Sequence, residues 1–417
     1  MSGAARSQDV AAATHPVDEW PYNGVDVADL RIRGWQPTPF REFILKVHQR
    51  CNLACEYCYV YTMADQSWRA RPPVMPAGIV EAVASRIAEH ASTYQLSQVQ
   101  IVLHGGEPLL AGRERLHHLV STLRAAMPAG CDVALGMQTN GVLLDAAILS
   151  FLREHSIAVG ISLDGIGTDH DTYRRGPDGR GSYATVRRAL KLFGAAENRS
   201  IFAGLLCTIN PVSDPIGCYE ELLAYRPPAI DFLFPHANWS SAARSTATIR
   251  TTPHGDWLVA AFERWYRAPR QETRVRLFED IISLVLGGAS RSEQVGLSPV
   301  GMLVIETDGG LEQVDSLKST YAGACGTGLN VVDDRLDAAL DNPGIAARQL
   351  GLAALSDECL RCPVHRICGA GHYAHRYRAG VGFRNPSVYC ADLRCLIDHI
   401  RARVSEDIAQ RVTPSRR

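Results

Sequence analysis

The sequence predicts an α/β fold in which a partial (β/α)6 barrel precedes a smaller, cysteine-rich C-terminal domain. Short apolar runs alternate with amphipathic segments up to about residue 240, a pattern typical of βαβ units and a parallel sheet. Six such units are too few to close an eight-stranded barrel, so we expect an open barrel with its site at the carboxyl ends of the strands. After residue 240 the pattern changes, and cysteines become dense near the C-terminus.

Apolar spacing predicts each element of the barrel. The predicted strands cover residues 43–47, 99–103, 133–139, 158–163, 202–209 and 230–234. The predicted helices cover residues 78–94, 113–126, 146–154, 182–193 and 215–225.

Fewer elements are predicted in the remainder of the chain. They are helices at 253–266 and 276–286, a hairpin of strands 302–306 and 311–314 with glycines in its turn, and a last helix at 391–404. The predicted domains are an N-terminal arm (1–38), the barrel (39–240), a helical bridge (241–298), and the cysteine-rich domain with its C-terminal helix (299–417). The arm is expected to be either a loosely ordered leader or a segment lying on the surface.

Length and composition exclude several classes of function. The 417 residues are 46% hydrophobic and 21% charged, which is typical of globular proteins. A net charge of −1 gives no electrostatic reason to expect binding to nucleic acid or to an anionic membrane. No apolar run is long enough to cross a bilayer, and the N-terminus lacks the apolar core of a signal peptide. We therefore expect a cytoplasmic location, where the twelve cysteines are thiols or metal ligands rather than disulfides.

Three cysteines follow the first predicted strand, and Cys51, Cys55 and Cys58 have the spacing C-x3-C-x2-C. Three thiolates on a four-iron cluster leave one iron without a protein ligand, and an open metal position can bind a cofactor or substrate. The alternatives are a zinc knuckle without its fourth ligand, or three buried cysteines. The spacing, with Tyr57 before the third cysteine, resembles the radical S-adenosylmethionine (SAM) signature. The resemblance implies that the open iron binds SAM and that an electron from the cluster cleaves it to a 5′-deoxyadenosyl radical.

A glycine pair ends the second predicted strand, in the string His104-Gly105-Gly106-Glu107-Pro108. Two glycines allow a close approach of the backbone to a ligand, although such a pair is also typical of a simple tight turn. The string resembles the GGEP motif of radical SAM enzymes, which implies that Gly105, Gly106 and Glu107 bind the amino group of SAM.

Polar residues also follow the fourth predicted strand. Ser162 and Asp164 could bind ribose hydroxyls there, and Arg174 could pair with a carboxylate. A helix cap and a surface ion pair are the alternative. The string S-L-D-G with His170 and Arg174 is similar to the corresponding segment of sulfatase-maturase-like radical SAM enzymes. That resemblance implies SAM contacts at Ser162, Arg174 and, on the fifth strand, Leu206.

A second set of cysteines, Cys359, Cys362, Cys368 and Cys390, lies near the C-terminus. Four thiolates can fully ligate one cluster, but four cysteines also suit a zinc ribbon. The spacing resembles the SPASM extension of radical SAM peptide maturases. The resemblance implies that these four residues hold the outer of two auxiliary clusters.

The inner auxiliary cluster of that family is predicted to be absent. Val314 and His372 stand where the resemblance would place two of its ligands, and Cys325 lies downstream of the hairpin and is not counted. We therefore predict two [4Fe–4S] clusters, one that binds SAM and one auxiliary. The cysteines in apolar contexts are predicted core thiols; they are Cys131, Cys207, Cys218 and Cys395.

The residue after Val314 is a candidate base. In sulfatase maturases an aspartate at this place takes a proton from the substrate, so the resemblance implies that Asp315 is catalytic and faces the cavity. The alternative is an aspartate that caps the hairpin turn.

Four strings narrow the resemblance to FxsB-type radical SAM/SPASM maturases, over about residues 40–400. They are the segments 65–71, 314–318, 368–377 and 385–390. Such a maturase is a radical SAM oxidoreductase that joins an aromatic ring carbon of a ribosomal precursor peptide to the β-carbon of a nearby residue, which makes a cyclophane. The auxiliary cluster would take an electron and Asp315 a proton, and a ferredoxin or flavodoxin would supply electrons for SAM cleavage. The alternatives are another peptide modification, such as oxidation of Cys or Ser to formylglycine, and a non-enzymatic iron–sulfur or zinc scaffold.

The predicted cluster count can be tested by anaerobic reconstitution and metal analysis. We expect about eight iron atoms per chain, four for each of two clusters, and release of 5′-deoxyadenosine when the reduced protein meets SAM. A count of about twelve would contradict the loss of the inner cluster. Bound zinc without SAM cleavage would instead favour the scaffold.

Overall fold

The computed structural model describes residues 15–241 and 251–412. Residues 1–14 of the predicted arm, residues 242–250 of the predicted bridge and residues 413–417 lie outside the described residues.

Ten strands form the sheet of the described chain. They are β1 (Glu42–His48), β2 (Gln98–Gly105), β3 (Asp132–Thr139), β4 (Ile157–Ser162), β5 (Phe202–Thr208), β6 (Ala229–Leu233), β7 (Arg274–Val275), β8 (Met302–Ile305), β9 (Gly310–Glu312) and β10 (Gly326–Asn330). Their order is β10-β9-β8-β1-β2-β3-β4-β5-β6-β7. Strands β1 to β7 run parallel in sequence order, which confirms the open α/β barrel.

The described chain contains every predicted α-helix near its predicted position, together with six short ones that were not predicted. In chain order the α-helices are α1 (Val27–Ile32), α2 (Ala77–Thr93), α3 (Arg113–Ala126), α4 (Ala146–Glu154), α5 (Gly167–Tyr173), α6 (Tyr183–Leu192), α7 (Ala196–Arg199), α8 (Pro215–Leu223), α9 (Pro253–Tyr266), α10 (Arg276–Val285), α11 (Pro343–Ala347), α12 (Asp357–Leu360), α13 (His365–Cys368) and α14 (Cys390–Val412). None of them is long and apolar enough to cross a bilayer.

The C-terminal hairpin joins the barrel sheet, which the sequence did not predict. Strand β8 pairs in parallel with β1, with Phe43 opposite Leu303 and Leu45 opposite Ile305. Strand β1 therefore has a neighbour on each side, and its residues are mostly buried, as is typical of a central parallel strand. This pairing brings the hairpin next to the loop of Cys51, Cys55 and Cys58.

Several side chains of residues 15–38 pack against the C-terminal domain, which favours a surface arm over a loosely ordered leader for this part of the segment. Trp20, Val25 and Val27 are buried in a second hydrophobic core with residues of the C-terminal domain, including Tyr373 and Phe383. Burial of large apolar side chains offsets the conformational entropy that ordering the segment costs.

Replacing Trp20 with alanine tests the packing of the arm. Trp20 is 7% exposed, so we expect the free energy of unfolding to fall by about 3–5 kcal/mol, the usual range for Trp→Ala in a core. Urea unfolding followed by circular dichroism measures the change. The control is Val17→Ala, because Val17 is 72% exposed and should lose almost nothing. Equal stability of the two variants would contradict the packing.

Candidate active site

A cavity of about 190 Å³ lies at the carboxyl ends of the barrel strands. All three cysteines of the loop after β1 line it. Most of the predicted SAM-contacting residues line it as well: Tyr57, Gly105, Gly106, Ser162, Asp164, Arg174 and Leu206. The structure therefore brings together residues from β1, β2, β4 and β5 that the sequence predicted separately.

Tyr57, Asp164 and Arg174 form a polar group across this cavity. The Tyr57 hydroxyl donates to Asp164 Oδ2 and accepts from Arg174 Nη1 at 2.8 Å. Asp164 Oδ1 accepts from the Thr208 N–H at 3.0 Å, which fixes the carboxylate against β5. Burial, together with the neighbouring Asp164, raises the pKa of Tyr57 well above its usual value, so the phenol stays protonated.

Arg174 has a further donor available for a ligand. Its Nε is buried and has no hydrogen-bond partner among the described residues. An unsatisfied buried donor of this kind costs about 1–3 kcal/mol, and a bound carboxylate would satisfy it. With three thiols lining the same cavity, the donor set fits a three-cysteine cluster and a ligand that carries a carboxylate.

Glu107 is the one predicted SAM-contacting residue that does not line the cavity. Its carboxylate is fully buried and accepts from the Leu109 N–H at 3.1 Å, the Thr139 hydroxyl at 2.7 Å and the Asn140 N–H at 2.9 Å. The side chain therefore joins the end of β2 to the end of β3. This side chain positions the strand ends, and the predicted contact of Glu107 with SAM stays a prediction.

The glycine pair is required by packing against the chain itself. A Cβ on Gly105 would lie 2.1 Å from the His48 carbonyl oxygen, and one on Gly106 would lie 1.8 Å from the Tyr61 hydroxyl. Both contacts are far too short for a side chain. The two glycines therefore allow the backbone at the end of β2 to pack directly against the end of β1 and the cysteine loop.

Asn140 braces the cysteine loop, a role that the sequence analysis missed. Its Nδ2 donates to Asn52 Oδ1 at 2.8 Å and lies 3.6 Å from Cys51 Sγ. Its position at the end of the third predicted strand, on the same rim as the cysteines, could have indicated this role.

The four C-terminal cysteines line a cavity of about 240 Å³. Cys359 lies in α12, Cys368 ends α13 and Cys390 begins α14. Gly369 follows Cys368 with φ +61°, and a Cβ there would lie 1.7 Å from the Gly296 carbonyl oxygen. Glycine at this position therefore allows the backbone beside Cys368 to pack against the backbone at Gly296. Four thiols on one cavity fit a fully ligated cluster, and they would also fit a zinc ion.

The other cysteines are mostly apart from these two sets. Cys207 and Cys218 are fully buried with Sγ atoms 3.7 Å apart, which confirms them as core thiols. Cys131 and Cys395 are only half-buried, so they are less buried than the prediction of core thiols expects. Cys325 is buried, and its thiol donates to the Val314 carbonyl oxygen at 3.2 Å.

Asp315 faces a second cavity, of about 610 Å³. Its carboxylate pairs with Lys46 and lies 3.6 Å from Lys318 Nζ. Burial alone would raise the pKa of Asp315, but the two ammonium groups outweigh it and hold that pKa well below its usual range. Asp315 is therefore ionised at neutral pH.

Lys46 is the main site residue that the sequence analysis missed. It is 1% exposed, lies opposite His104 in the parallel register of β1 and β2, and contacts His104 Nδ1 at 3.1 Å. Burial and the nearby Lys46 lower the pKa of His104 to about 4, so its ring is neutral. The sequence does contain a signal for this role, because Lys46 is a single lysine inside an otherwise apolar predicted strand. A buried charge at such a position requires a partner.

Buried ions of the hairpin complete this network. Lys318 pairs with Glu306 and, at 3.2 Å, with Glu312. Arg71 lies 2.6 Å from both of these carboxylates. The three carboxylates of Glu306, Glu312 and Asp315 are thus matched by the three cations of Lys46, Arg71 and Lys318.

Comparison with known proteins agrees with this geometry. The model of the radical SAM superfamily matches residues 45–212, the stretch that carries the three-cysteine loop and the strand ends. This match covers less than half of the chain. The prediction of a radical SAM enzyme that uses SAM and iron–sulfur clusters is confirmed at this level.

Several relatives that match a larger part of the chain are sulfatase-maturating enzymes. The cysteine-type anaerobic enzyme of Clostridium perfringens is 24% identical over 66% of this chain and 74% of its own. The serine-type enzyme of Klebsiella aerogenes is 24% identical over 82% of each chain. Both names differ from the FxsB type, so the finer prediction of a cyclophane-forming enzyme is not confirmed.

Solved structures agree on the fold. "Native anSMEcpe with bound AdoMet" has a TM-score of 0.76 and 21% identity, and covers 89% of this chain and all of its own. Streptococcus suis SuiB bound to precursor peptide SuiA has a TM-score of 0.57 and 14% identity, over 88% of this chain and 79% of its own. Barrel and C-terminal domain are both included in these matches.

The replacement Lys46→Met tests the buried ion pair. Removing one partner leaves Asp315 short of a cation, so we expect a loss of about 3–5 kcal/mol in the free energy of unfolding. The double variant Lys46→Met/Asp315→Asn should recover most of this loss. Because the uncompensated carboxyl would have a raised pKa, the loss should shrink as the pH falls and Asp315 becomes protonated.

Urea unfolding between about pH 4 and pH 7, spanning the usual carboxyl range, measures these effects. The matched control is Lys191→Met in α6, because that lysine is exposed and should change stability by less than about 0.5 kcal/mol. A double variant as unstable as the single one would show that the lysine does not act through Asp315.

Proposed function

We propose that this chain is a radical SAM maturase that joins an aromatic ring carbon of a ribosomally made peptide to the β-carbon of a nearby residue. The observation that carries the proposal is a shared wall between the cysteine-lined cavity and the second cavity. Both cavities are lined by Tyr59, His104, Leu233, Phe234 and His236. A space large enough for several side chains therefore adjoins the site expected to hold SAM.

The cofactors would be held by residues described above. When bound with a cluster at Cys51, Cys55 and Cys58, SAM supplies a 5′-deoxyadenosyl radical that takes a hydrogen atom from carbon. The four C-terminal cysteines would hold an auxiliary cluster, whose chemistry is to accept an electron. A ferredoxin or flavodoxin is the proposed external electron donor.

The chain itself orients SAM and shields the reaction. The Arg174 guanidinium would pair with the SAM carboxylate through its unsatisfied Nε, while Tyr57 and Asp164 hold the guanidinium in place. Leu206 and Phe234 line the same cavity and exclude water, which protects a carbon radical from side reactions.

Asp315 would take the proton that the crosslink releases. Joining two C–H carbons removes two hydrogens: one leaves as an atom, and the other as a proton and an electron. A ring carbon that has gained a bond and lost an electron is a strong acid, so a weakly basic carboxylate suffices if it is ionised. Lys46 and Lys318 keep Asp315 ionised, which makes the two lysines positioning residues for this step.

Formylglycine formation is the second candidate function. The names of the relatives support it, because both are sulfatase-maturating enzymes. The positions of Val314 and His372 weigh against it, since they lack the thiols that an inner auxiliary cluster of that family would need.

The variant Arg174→Met should bind SAM less tightly. We expect a loss of about 1.5–3 kcal/mol, the usual contribution of a hydrogen bond to a charged group, with iron content unchanged. Equilibrium dialysis of the reconstituted protein with labelled SAM measures the affinity. The control is Arg175→Met, because Arg175 is exposed and adjacent in sequence. Equal losses of SAM affinity in the two variants would show that Arg174 does not bind SAM.

A panel of synthetic peptides tests the reaction itself. One set carries an aromatic residue two positions from a residue with β-hydrogens, and a second set carries Cys or Ser in sulfatase-type context. We expect the first set to lose two hydrogens without gaining an aldehyde, as read by mass spectrometry and hydrazide labelling. An aldehyde in the second set alone would favour formylglycine formation. Release of 5′-deoxyadenosine without change in either set would contradict both candidates.

A further inference from the structure

We propose that His236, His372 and His375 form a binding site for one divalent transition-metal ion, separate from both cysteine sets. A ring nitrogen from each residue lies within 4.8 Å of one from each of the others. The ring centroids are 4.9–5.6 Å apart. The metal site would be present whether or not the peptide reaction is the one proposed above.

Distant parts of the chain supply the three rings. His236 follows β6 and lines both cavities, while His372 and His375 lie between α13 and α14 and line the second cavity. The site therefore sits where the two cavities meet. The fold, rather than a local sequence repeat, creates the cluster.

One ring nitrogen of the cluster is buried without a hydrogen bond. His236 Nδ1 is buried and has no hydrogen-bond partner among the described residues. An unsatisfied buried polar group costs about 1–3 kcal/mol. A cation bound within the cluster is a direct way to satisfy a buried imidazole nitrogen.

Small side-chain rotations would complete the coordination. Tetrahedral zinc has metal–nitrogen distances of about 2.0–2.1 Å, which place ligand nitrogens about 3.3 Å apart. Since the ring nitrogens already lie within 4.8 Å of one another, they need to approach by at most about 1.5 Å. His372 would exchange a weak bond for the metal, since its Nδ1 accepts from the Ala374 N–H at 3.3 Å.

The ligand set selects the class of ion. Imidazole suits zinc, iron, nickel and copper rather than magnesium or calcium. Three protein ligands leave a fourth position open, as in catalytic zinc sites. The walls are aromatic, with Tyr59 edge-on to His236 at 4.7 Å and Tyr389 4.9 Å from His375, so the fourth ligand would come from the second cavity.

A nearby acidic cluster does not compete for the same role. The carboxylates of Glu306, Glu312 and Asp315 also lie within 4.8 Å of one another. Lysine and arginine side chains already neutralise them.

Zinc analysis of the full, cluster-loaded chain tests the proposal. After reconstitution with iron and sulfide, the protein is equilibrated with Zn²⁺, freed of loose metal and analysed for metal content and zinc X-ray absorption. We expect one zinc per chain with nitrogen ligands at about 2.0–2.1 Å rather than sulfur at about 2.3 Å. His236→Ala and His372→Ala should each lose the zinc and keep the iron content of the unaltered chain.

The matched control is His117→Ala. His117 lies in α3 and contacts His155 at 3.1 Å, outside the cluster, so this variant should keep its zinc. Zinc with sulfur ligands would overturn the proposal, because the metal would then occupy cysteine positions. Zinc retained in both cluster variants, or absent from the unaltered chain, would overturn it as well.

Discussion

The pairing of Lys46 with Asp315 is the interaction on which the arrangement of the site depends. Lys46 points into the interior from the middle of β1, where an uncompensated charge would be strongly unfavourable. Its counter-ion comes from the C-terminal domain, through the hairpin whose strand β8 pairs with β1. The barrel is therefore electrostatically incomplete without that domain, and the domain would bury unmatched carboxylates without the barrel.

This interdependence fixes the geometry of the reacting groups. The backbone pairing of β1 with β2 places Lys46 beside His104, and the pairing of β1 with β8 places it beside the segment that carries Asp315. His104, beside Lys46, belongs to the wall that the two cavities share. A charge network of this kind contributes little net stability compared with apolar packing, but it determines which groups are charged at the boundary between the two cavities.

The parts that the sequence predicted well depend on local spacing. The cysteine sets, the strand ends and the amphipathic helices are encoded within a few residues, so motif spacing and apolar periodicity reveal them. The parts that it missed depend on contacts between distant segments. The packing of Trp20, the β1–β8 pairing and the partner of Lys46 all require the tertiary structure, and the motif that contains Glu107 does not reveal the direction of its side chain.

The volume of the second cavity limits what form a substrate can take. About 610 Å³ accommodates a few side chains or a drug-sized molecule, but not a folded domain. Whatever is modified there must present a short, unfolded stretch of chain, bent or extended into the opening. A target that presents such a stretch only while it is unfolded would therefore be accessible only before it folds.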